Sequence, residues 1–126
     1  MGLTYTYITL SNPRLPELSP LKIKCLADTG ALMMSITEAH SIQLKLEELE
    51  KRNVTIADGT IKQVPFVGPI RIDFEDRFCF TGAFVLGNEA LLGAVPMEEM
   101  DLIVNPSAQK VQHNPQNPNI PVYIMY

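Results

Sequence analysis

The sequence predicts an all-β fold with one or two short helices. Short runs rich in β-branched and aromatic residues recur along the chain and are bounded by Gly, Pro, Asn and Asp, which is typical of strands joined by turns. Asp58-Gly59 stands between two β-branched runs, and such a pair is among the strongest local signals for a β-hairpin. Residues 70–74 alternate apolar and polar side chains, as a half-buried strand does. The length of 126 residues fits one domain, 1–126, that can bury a core without metals or disulfides.

Composition narrows the class of protein. Apolar residues make up 46% of the chain, charged residues 19%, and the formal net charge is -4. This balance indicates a globular protein and argues against nucleic acid as a partner. Cys25 and Cys79 lie far apart inside strand-like runs, so we expect free thiols in a reducing cytosol. The N-terminus has no basic region followed by an apolar run, and no segment reaches the ~18 apolar residues of a membrane span, so we expect a cytoplasmic protein without a membrane partner.

The first part of the chain is predicted to form three strands and a helix. In order, these are a strand at 4–10, a proline-punctuated loop at 11–20, and strands at 21–27 and 32–36. The last two strands flank the turn Asp28-Thr29-Gly30, where Gly30 supplies the backbone freedom that a sharp turn demands. Thr37 is expected to cap a short helix over 38–44, because its hydroxyl can accept a free amide of the first turn. An alternative interpretation extends this helix to residue 52 through a run of charged residues.

The remaining elements are hairpins, a short helix and a tail. The predicted pieces are a hairpin of 53–56 and 61–64, a hairpin of 70–74 with 78–80 and 83–86, a helix beginning at 96–100, and a strand pair of 102–104 and 110–112. Residues 114–126 form an irregular tail, because their Pro and Asn content is too high for a central strand. Within the tail, only residues 122–126 could pair with another strand.

The turn at Asp28 is the most informative feature of the sequence. Asp28-Thr29-Gly30 follows the apolar run 21–27, so a carboxylate is placed where a strand ends. Taking an ionised carboxylate out of water costs several kcal/mol unless partners compensate, so packing alone does not explain this residue. Downstream, Leu91-Leu92-Gly93 closes a second strand-like run just before a short helix.

The order of strand, Asp-Thr-Gly, strand, hairpin, strand, Leu-Leu-Gly and short helix resembles the retropepsin-like aspartic proteases, the single-domain relatives of pepsin. Within that family, the chain is most similar to the small prokaryotic members. The resemblance extends from about Tyr5 to about Val111. It implies a closed acid-protease β-barrel and an aspartic endopeptidase that needs no cofactor and no metal.

The resemblance also implies how catalysis would work. Aspartic proteolysis needs two carboxylates that share a proton, and this chain has a single Asp-Thr-Gly. The catalytic pair would therefore come from Asp28 of two copies in a homodimer. The hydroxyl of Thr29 would bond across the two-fold axis, and Gly30 would let the two loops approach closely.

Further roles are implied for the residues around this turn. Structural support would come from Leu91, Leu92 and Gly93, and contacts with an extended peptide or protein substrate from Ala31, Ala57, Asp58, Gly59 and Thr60. The last four belong to the hairpin that would close over the substrate. The substrate backbone would pair with strand edges, and its alternate side chains would enter mainly apolar pockets.

Other interpretations of these residues stay open. Asp28 could be a turn aspartate that bonds to nearby backbone amides, and the same fold could serve as a non-catalytic peptide-binding or structural module. Asp58-Gly59-Thr60 has the wrong order for a second catalytic motif and suits a turn. His40 and His113 have no ligand-like spacing, and Cys25 lacks any local signature of a cysteine hydrolase, so we expect neither metal nor thiol chemistry.

Overall fold

Nine strands and two short helices are formed by residues 2–126, the part of the chain that the computed structural model describes. In chain order they are β1 (Tyr5–Ser11), β2 (Leu21–Ala27), β3 (Met34–Ile36), α1 (Glu38–Gln43), β4 (Glu47–Thr55), β5 (Ile61–Phe74), β6 (Arg77–Val85), β7 (Ala90–Leu92), α2 (Ala94–Glu99), β8 (Leu102–Asn105) and β9 (Lys110–His113). The prediction of an all-β fold with one or two short helices is confirmed. Neither helix is long and apolar enough to cross a membrane.

Six of the strands close into a barrel. Their order is β1-β2-β7-β3-β6-β5, and β1 also pairs with β5. The short strand β7 lies between β2 and β3, where Leu91 is paired with Leu26 in a parallel ladder and with Ser35 in an antiparallel one. Strand β4 extends the sheet beyond β5 and has no strand on its other edge among the described residues. The segments on both sides of Asp28 are thus joined through β7.

Alternating side chains fill the barrel. Ile70, Ile72 and Phe74 of β5 are buried, as the alternation of residues 70–74 predicts, and they pack with Ile8 and Leu10 of β1. Fully burying a side chain of this size contributes about 1.5–3 kcal/mol, so the inward-facing positions specify the register of each strand. The hairpin at Glu75-Asp76 joins β5 to β6 as expected, with Phe74 paired with Arg77.

The first helix is short, and the alternative in which it extends to residue 52 is not observed. The hydroxyl of Thr37 accepts a hydrogen bond of 3.2 Å from the amide of His40, so the predicted helix cap is present. The helix ends at Gln43, and Lys45 has a positive φ of 51°, which takes the chain out of the helical conformation. The extension of the helix to residue 52 is wrong. Residues 47–55 instead form β4, because their backbone completes the hydrogen bonding of β5 from Gly68 to Ile61.

The tail, residues 114–126, contains no helix or strand, and residues 122–126 do not pair with a sheet. Its first part is held by polar contacts with Arg77 and Asp101. The buried guanidinium of Arg77 donates to the carbonyl oxygens of Asp101, at 2.7 Å, and Asn117. The carboxylate of Asp101 accepts hydrogen bonds from the side chain of Asn117, at 2.8 Å, and from the amide of Val122, at 3.0 Å. The tail therefore follows the surface beside α2 and β8.

Candidate active site

The Asp28 turn is fixed by backbone hydrogen bonds on both sides. The amide of Asp28 donates to the carbonyl oxygen of Leu92 at 3.0 Å, and the amide of Ala31 donates to the carbonyl oxygen of Asp28 at 3.1 Å. The Asp28 side chain accepts a hydrogen bond of 2.9 Å from the amide of Gly30 through Oδ1. Asp28 is half-buried, whereas Thr29 and Gly30 are exposed. The carboxylate is thus oriented by its own turn while it remains accessible.

Gly93 lies directly beneath this loop. A Cβ atom at position 93 would stand 2.2 Å from the carbonyl oxygen of Met33 and 2.8 Å from that of Ala31, closer than real Cβ contacts. Only glycine therefore permits this approach of the two segments. The amide of Ala94 then donates to the carbonyl oxygen of Ala31 at 2.8 Å, and the adjacent Leu92 is fully buried. The Leu-Leu-Gly segment and the Asp-Thr-Gly loop form one tightly packed unit.

A cleft of about 660 Å³ lies between the Asp28 loop and β4. The residues that line it are Asp28, Gly30, Ala31, Leu32, Met33, Ser35, Arg52, Asn53, Val54, Thr55, Ile56, Ala57, Phe84, Leu86 and Leu91. Of the site residues predicted from sequence, the cleft brings together Asp28, Gly30, Ala31, Ala57 and Leu91. It is not lined by Thr29, Asp58, Gly59, Thr60, Leu92 or Gly93.

The tip of the hairpin between β4 and β5 differs in detail from the predicted two-residue Asp-Gly turn. The amide of Gly59 donates to the carbonyl oxygen of Ile56 at 2.9 Å, so Ala57 and Asp58 occupy the centre of the turn. Gly59 follows it with a φ of 86°, a left-handed conformation that favours glycine. The carboxylate of Asp58 accepts hydrogen bonds from the Thr60 hydroxyl and amide, which lower its pKa. Asp58 thus orders the exposed tip, while the strand behind it covers the cleft.

Sequence reasoning missed the part of β4 that faces the cleft. The guanidinium of Arg52 lies 3.8 Å from the ring centroid of Phe66 and also pairs with Glu50. Phe66 in turn packs edge-on against Phe84 at a centroid distance of 5.2 Å. No local signal identifies these residues, because their positions depend on the pairing of β4, β5 and β6.

The cleft has few charged groups. Among its lining residues within the described range 2–126, Asp28 is the one acidic side chain and Arg52 the one basic side chain. A second carboxylate for Asp28 is therefore not supplied by the cleft of the described chain. The neighbouring Thr29 and Gly30 are exposed and available to another copy.

The cysteines and histidines do not form a second centre. Burial raises the pKa of Cys25 and of Cys79 to about 12, and neighbouring carboxylates add to the effect. Both thiols are thus held in the protonated, weakly nucleophilic form. Burial lowers the pKa of His40 on α1. In the part of the chain from residue 2 onward, no three His, Cys, Asp or Glu residues are grouped so as to hold a metal ion.

Comparison with known proteins finds no matching protein-family model and no matching curated protein. The function is therefore inferred from the residues and geometry of the cleft.

Proposed function

We propose that this protein is an aspartic endopeptidase that acts as a homodimer. The observation that carries the proposal is the position of Asp28, whose carboxylate is oriented by backbone contacts and opens into a cleft covered by a β-hairpin. The resemblance of Asp28-Thr29-Gly30 and Leu91-Leu92-Gly93 to the motifs of retropepsin-like proteases supports the same assignment. The packing of Gly93 against the Asp28 loop gives these two motifs a common structural role.

The chemistry requires two carboxylates about 3 Å apart that share one proton. One Asp28 carboxylate draws a proton from a water molecule, which attacks the scissile carbonyl carbon. The other Asp28 protonates the carbonyl oxygen, which gives a tetrahedral gem-diol. One hydroxyl of the diol returns its proton to that carboxylate as the carbonyl re-forms, while the first Asp28 passes its proton to the nitrogen, so the C–N bond breaks and the amine leaves. Because two close carboxylates repel each other when both are ionised, the pair titrates as a coupled unit and favours activity on the acid side of neutrality.

A two-fold dimer would supply the second Asp28. In an isologous interface, the same surface of each copy meets its counterpart, so the exposed Thr29 and Gly30 would face the same residues of the partner. This arrangement brings the two half-buried carboxylates together at the axis. Each chain then contributes one Asp28 and one hairpin to a shared cleft.

The substrate class follows from the sheet edge and the lining of the cleft. Strand β4 ends the sheet order, and its residues 52–55, with Ile56 and Ala57 beyond it, line the cleft. An unpaired strand edge offers backbone donors and acceptors to an extended peptide. Leu32, Val54 and Phe84 provide an apolar environment for its side chains. Peptides or exposed segments of proteins in extended conformation are thus the proposed substrates.

The test is cleavage of a peptide library by the unmodified protein and by Asp28→Asn, with the oligomeric state of each measured by light scattering. We expect a dimer that cleaves, and an equally folded Asp28→Asn dimer in which cleavage is abolished. Asp76→Asn is the matched control, because Asp76 lies in the exposed turn between β5 and β6, away from the cleft. Cleavage by Asp28→Asn at the unmodified rate would overturn the proposal.

A second candidate function is a non-catalytic peptide-binding module. The observation that favours it is the 2.9 Å hydrogen bond between the Gly30 amide and Asp28, which is what a structural turn aspartate makes. In this case the chain would be monomeric, would bind extended peptides without cleaving them, and would retain binding in Asp28→Asn. The same pair of measurements distinguishes the two functions.

A further inference from the structure

Ser35 occupies an unusual position in the floor of the cleft. On β3, it is paired with Leu91 of β7 on one side and with Phe84 of β6 on the other. Residues directly opposite each other on neighbouring strands project to the same face of a sheet. Leu91, Ser35 and Phe84 therefore form a row across three strands, and all three line the cleft. Ser35 is the polar member of an otherwise apolar row.

The hydroxyl of Ser35 has no partner within the described chain. Only 6% of the residue is exposed, and its Oγ makes no hydrogen bond with residues 2–126. A buried hydroxyl without a hydrogen bond costs free energy, whereas alanine or valine would pack between Leu91 and Phe84 without that cost. The residue at this position is thus not optimal for the stability of the free protein.

We infer that Ser35 is a specificity-determining residue, whose hydroxyl hydrogen-bonds a small uncharged polar side chain, serine or threonine, of a peptide bound in the cleft. The inference rests on the proposed function insofar as it requires an extended peptide there. A serine changes between staggered positions by rotation about one bond, so its hydroxyl can turn toward a group that enters the cleft.

The surroundings favour this class of side chain. A charged substrate group would be desolvated between Leu91 and Phe84 without an opposite charge in the row. The methyl group of a threonine, in contrast, would pack against these apolar side chains while its hydroxyl meets Ser35. A site that hydrogen-bonds a hydroxyl rejects an analogue without one, because its own polar group is then left unpaired.

The test measures binding in the Asp28→Asn background, so that it does not depend on cleavage. A positional peptide library is bound to Asp28→Asn and to double variants that add Ser35→Val or Ser35→Ala to it. The control is the double variant that adds Ser41→Ala, because Ser41 lies on α1 and outside the cleft. We expect Asp28→Asn to prefer Ser or Thr over Val or Ala at one peptide position. This preference should fall by about tenfold with Ser35→Val and stay unchanged with Ser41→Ala.

A second measurement separates a ligand-binding hydroxyl from a structural one. Thermal unfolding of the free proteins should show Ser35→Ala and Ser35→Val at least as stable as the unmodified chain. The inference would be overturned if both variants were less stable than the unmodified chain, or if the Ser35→Val variant kept the same peptide preference. It would also be overturned if Asp28→Asn bound no peptide of the library. Bound peptides that the unmodified protein fails to cleave would refute the protease proposal and leave the assignment of Ser35 standing.

Discussion

The backbone amide of Asp28 donates a hydrogen bond of 3.0 Å to the carbonyl oxygen of Leu92. This bond joins the end of β2 to the end of β7, and Gly93 then passes beneath the Asp28 loop in contact with the carbonyl oxygens of Ala31 and Met33. The orientation of the Asp28 carboxylate therefore depends on residues far along the chain. A change at one of these residues should alter the site without touching Asp28 itself.

Gly93→Ala should destabilise the protein and displace the Asp28 loop. The added Cβ would meet backbone oxygens, which cannot move aside as a flexible side chain can. Overpacking of this kind costs about 1–3 kcal/mol of unfolding free energy, and urea denaturation measures it. Peptide cleavage should fall by a larger factor than the loss of folded protein explains. Unchanged stability and activity in Gly93→Ala would show that the close approach is not required.

The tail should come away from the body of the protein in strong acid. Burial acts to raise the pKa of Asp101, but hydrogen bonds from Val122, Asn114 and Asn117 and the charge of Arg77 outweigh it, so the pKa is lowered overall. A carboxylate with a lowered pKa stabilises the folded state above its ordinary pKa of 3.8, and the contribution is lost as the pH falls through the lowered value. Amide hydrogen exchange across residues 114–123 should therefore show protection near neutrality that is lost in acid, at a pH below the ordinary pKa of 3.8.

Asp101→Asn provides the matched variant for this measurement. It removes the charge that Arg77 attracts and reduces the acceptors available to the Val122 amide and the Asn117 side chain. We expect low protection of the tail at neutral pH, with little further loss in acid. Asp58→Asn, at the hairpin tip where the Asp58 carboxylate contacts Thr60 and not the tail, should behave as the unmodified protein does. Equal protection of Asp101→Asn and the unmodified chain at neutral pH would contradict the assigned role of Asp101.

The two thiols should be unreactive in the folded protein. Because burial holds the pKa of Cys25 and Cys79 at about 12, the thiolate is scarce near neutrality. A chromogenic thiol reagent should label both cysteines in denaturant and neither at an appreciable rate in native buffer. Rapid native labelling of Cys25 would revive the possibility of thiol chemistry.

Part of the fold and the site follows from local patterns in the sequence. The Asp28 turn, the Thr37 cap and the hairpin at Asp58-Gly59 are each specified by a few adjacent residues. The buried face of β5 is likewise predicted by adjacent residues, because apolar and polar side chains alternate over 70–74. These features need no knowledge of distant partners.

The remaining features depend on long-range pairing. Residues 47–52 are rich in Glu, Lys and Arg, which favour a helix, but pairing with β5 overrides this preference and forms an exposed strand. The placement of Arg52 over Phe66 and of Ser35 beside Leu91 follows from the register of neighbouring strands. The course of the tail is set by Arg77 and Asp101, which no periodicity connects to it.

The central claim is that catalysis uses one Asp28 from each of two copies, and a mixing experiment tests it most directly. Unmodified protein and Asp28→Asn are combined in equal amounts at a constant total concentration, exchanged to equilibrium, and assayed for peptide cleavage. If heterodimers are inactive and form as readily as homodimers, activity should fall to about a quarter of that of the unmodified protein. A fall to about half would mean that each chain acts independently, and would contradict the shared carboxylate pair.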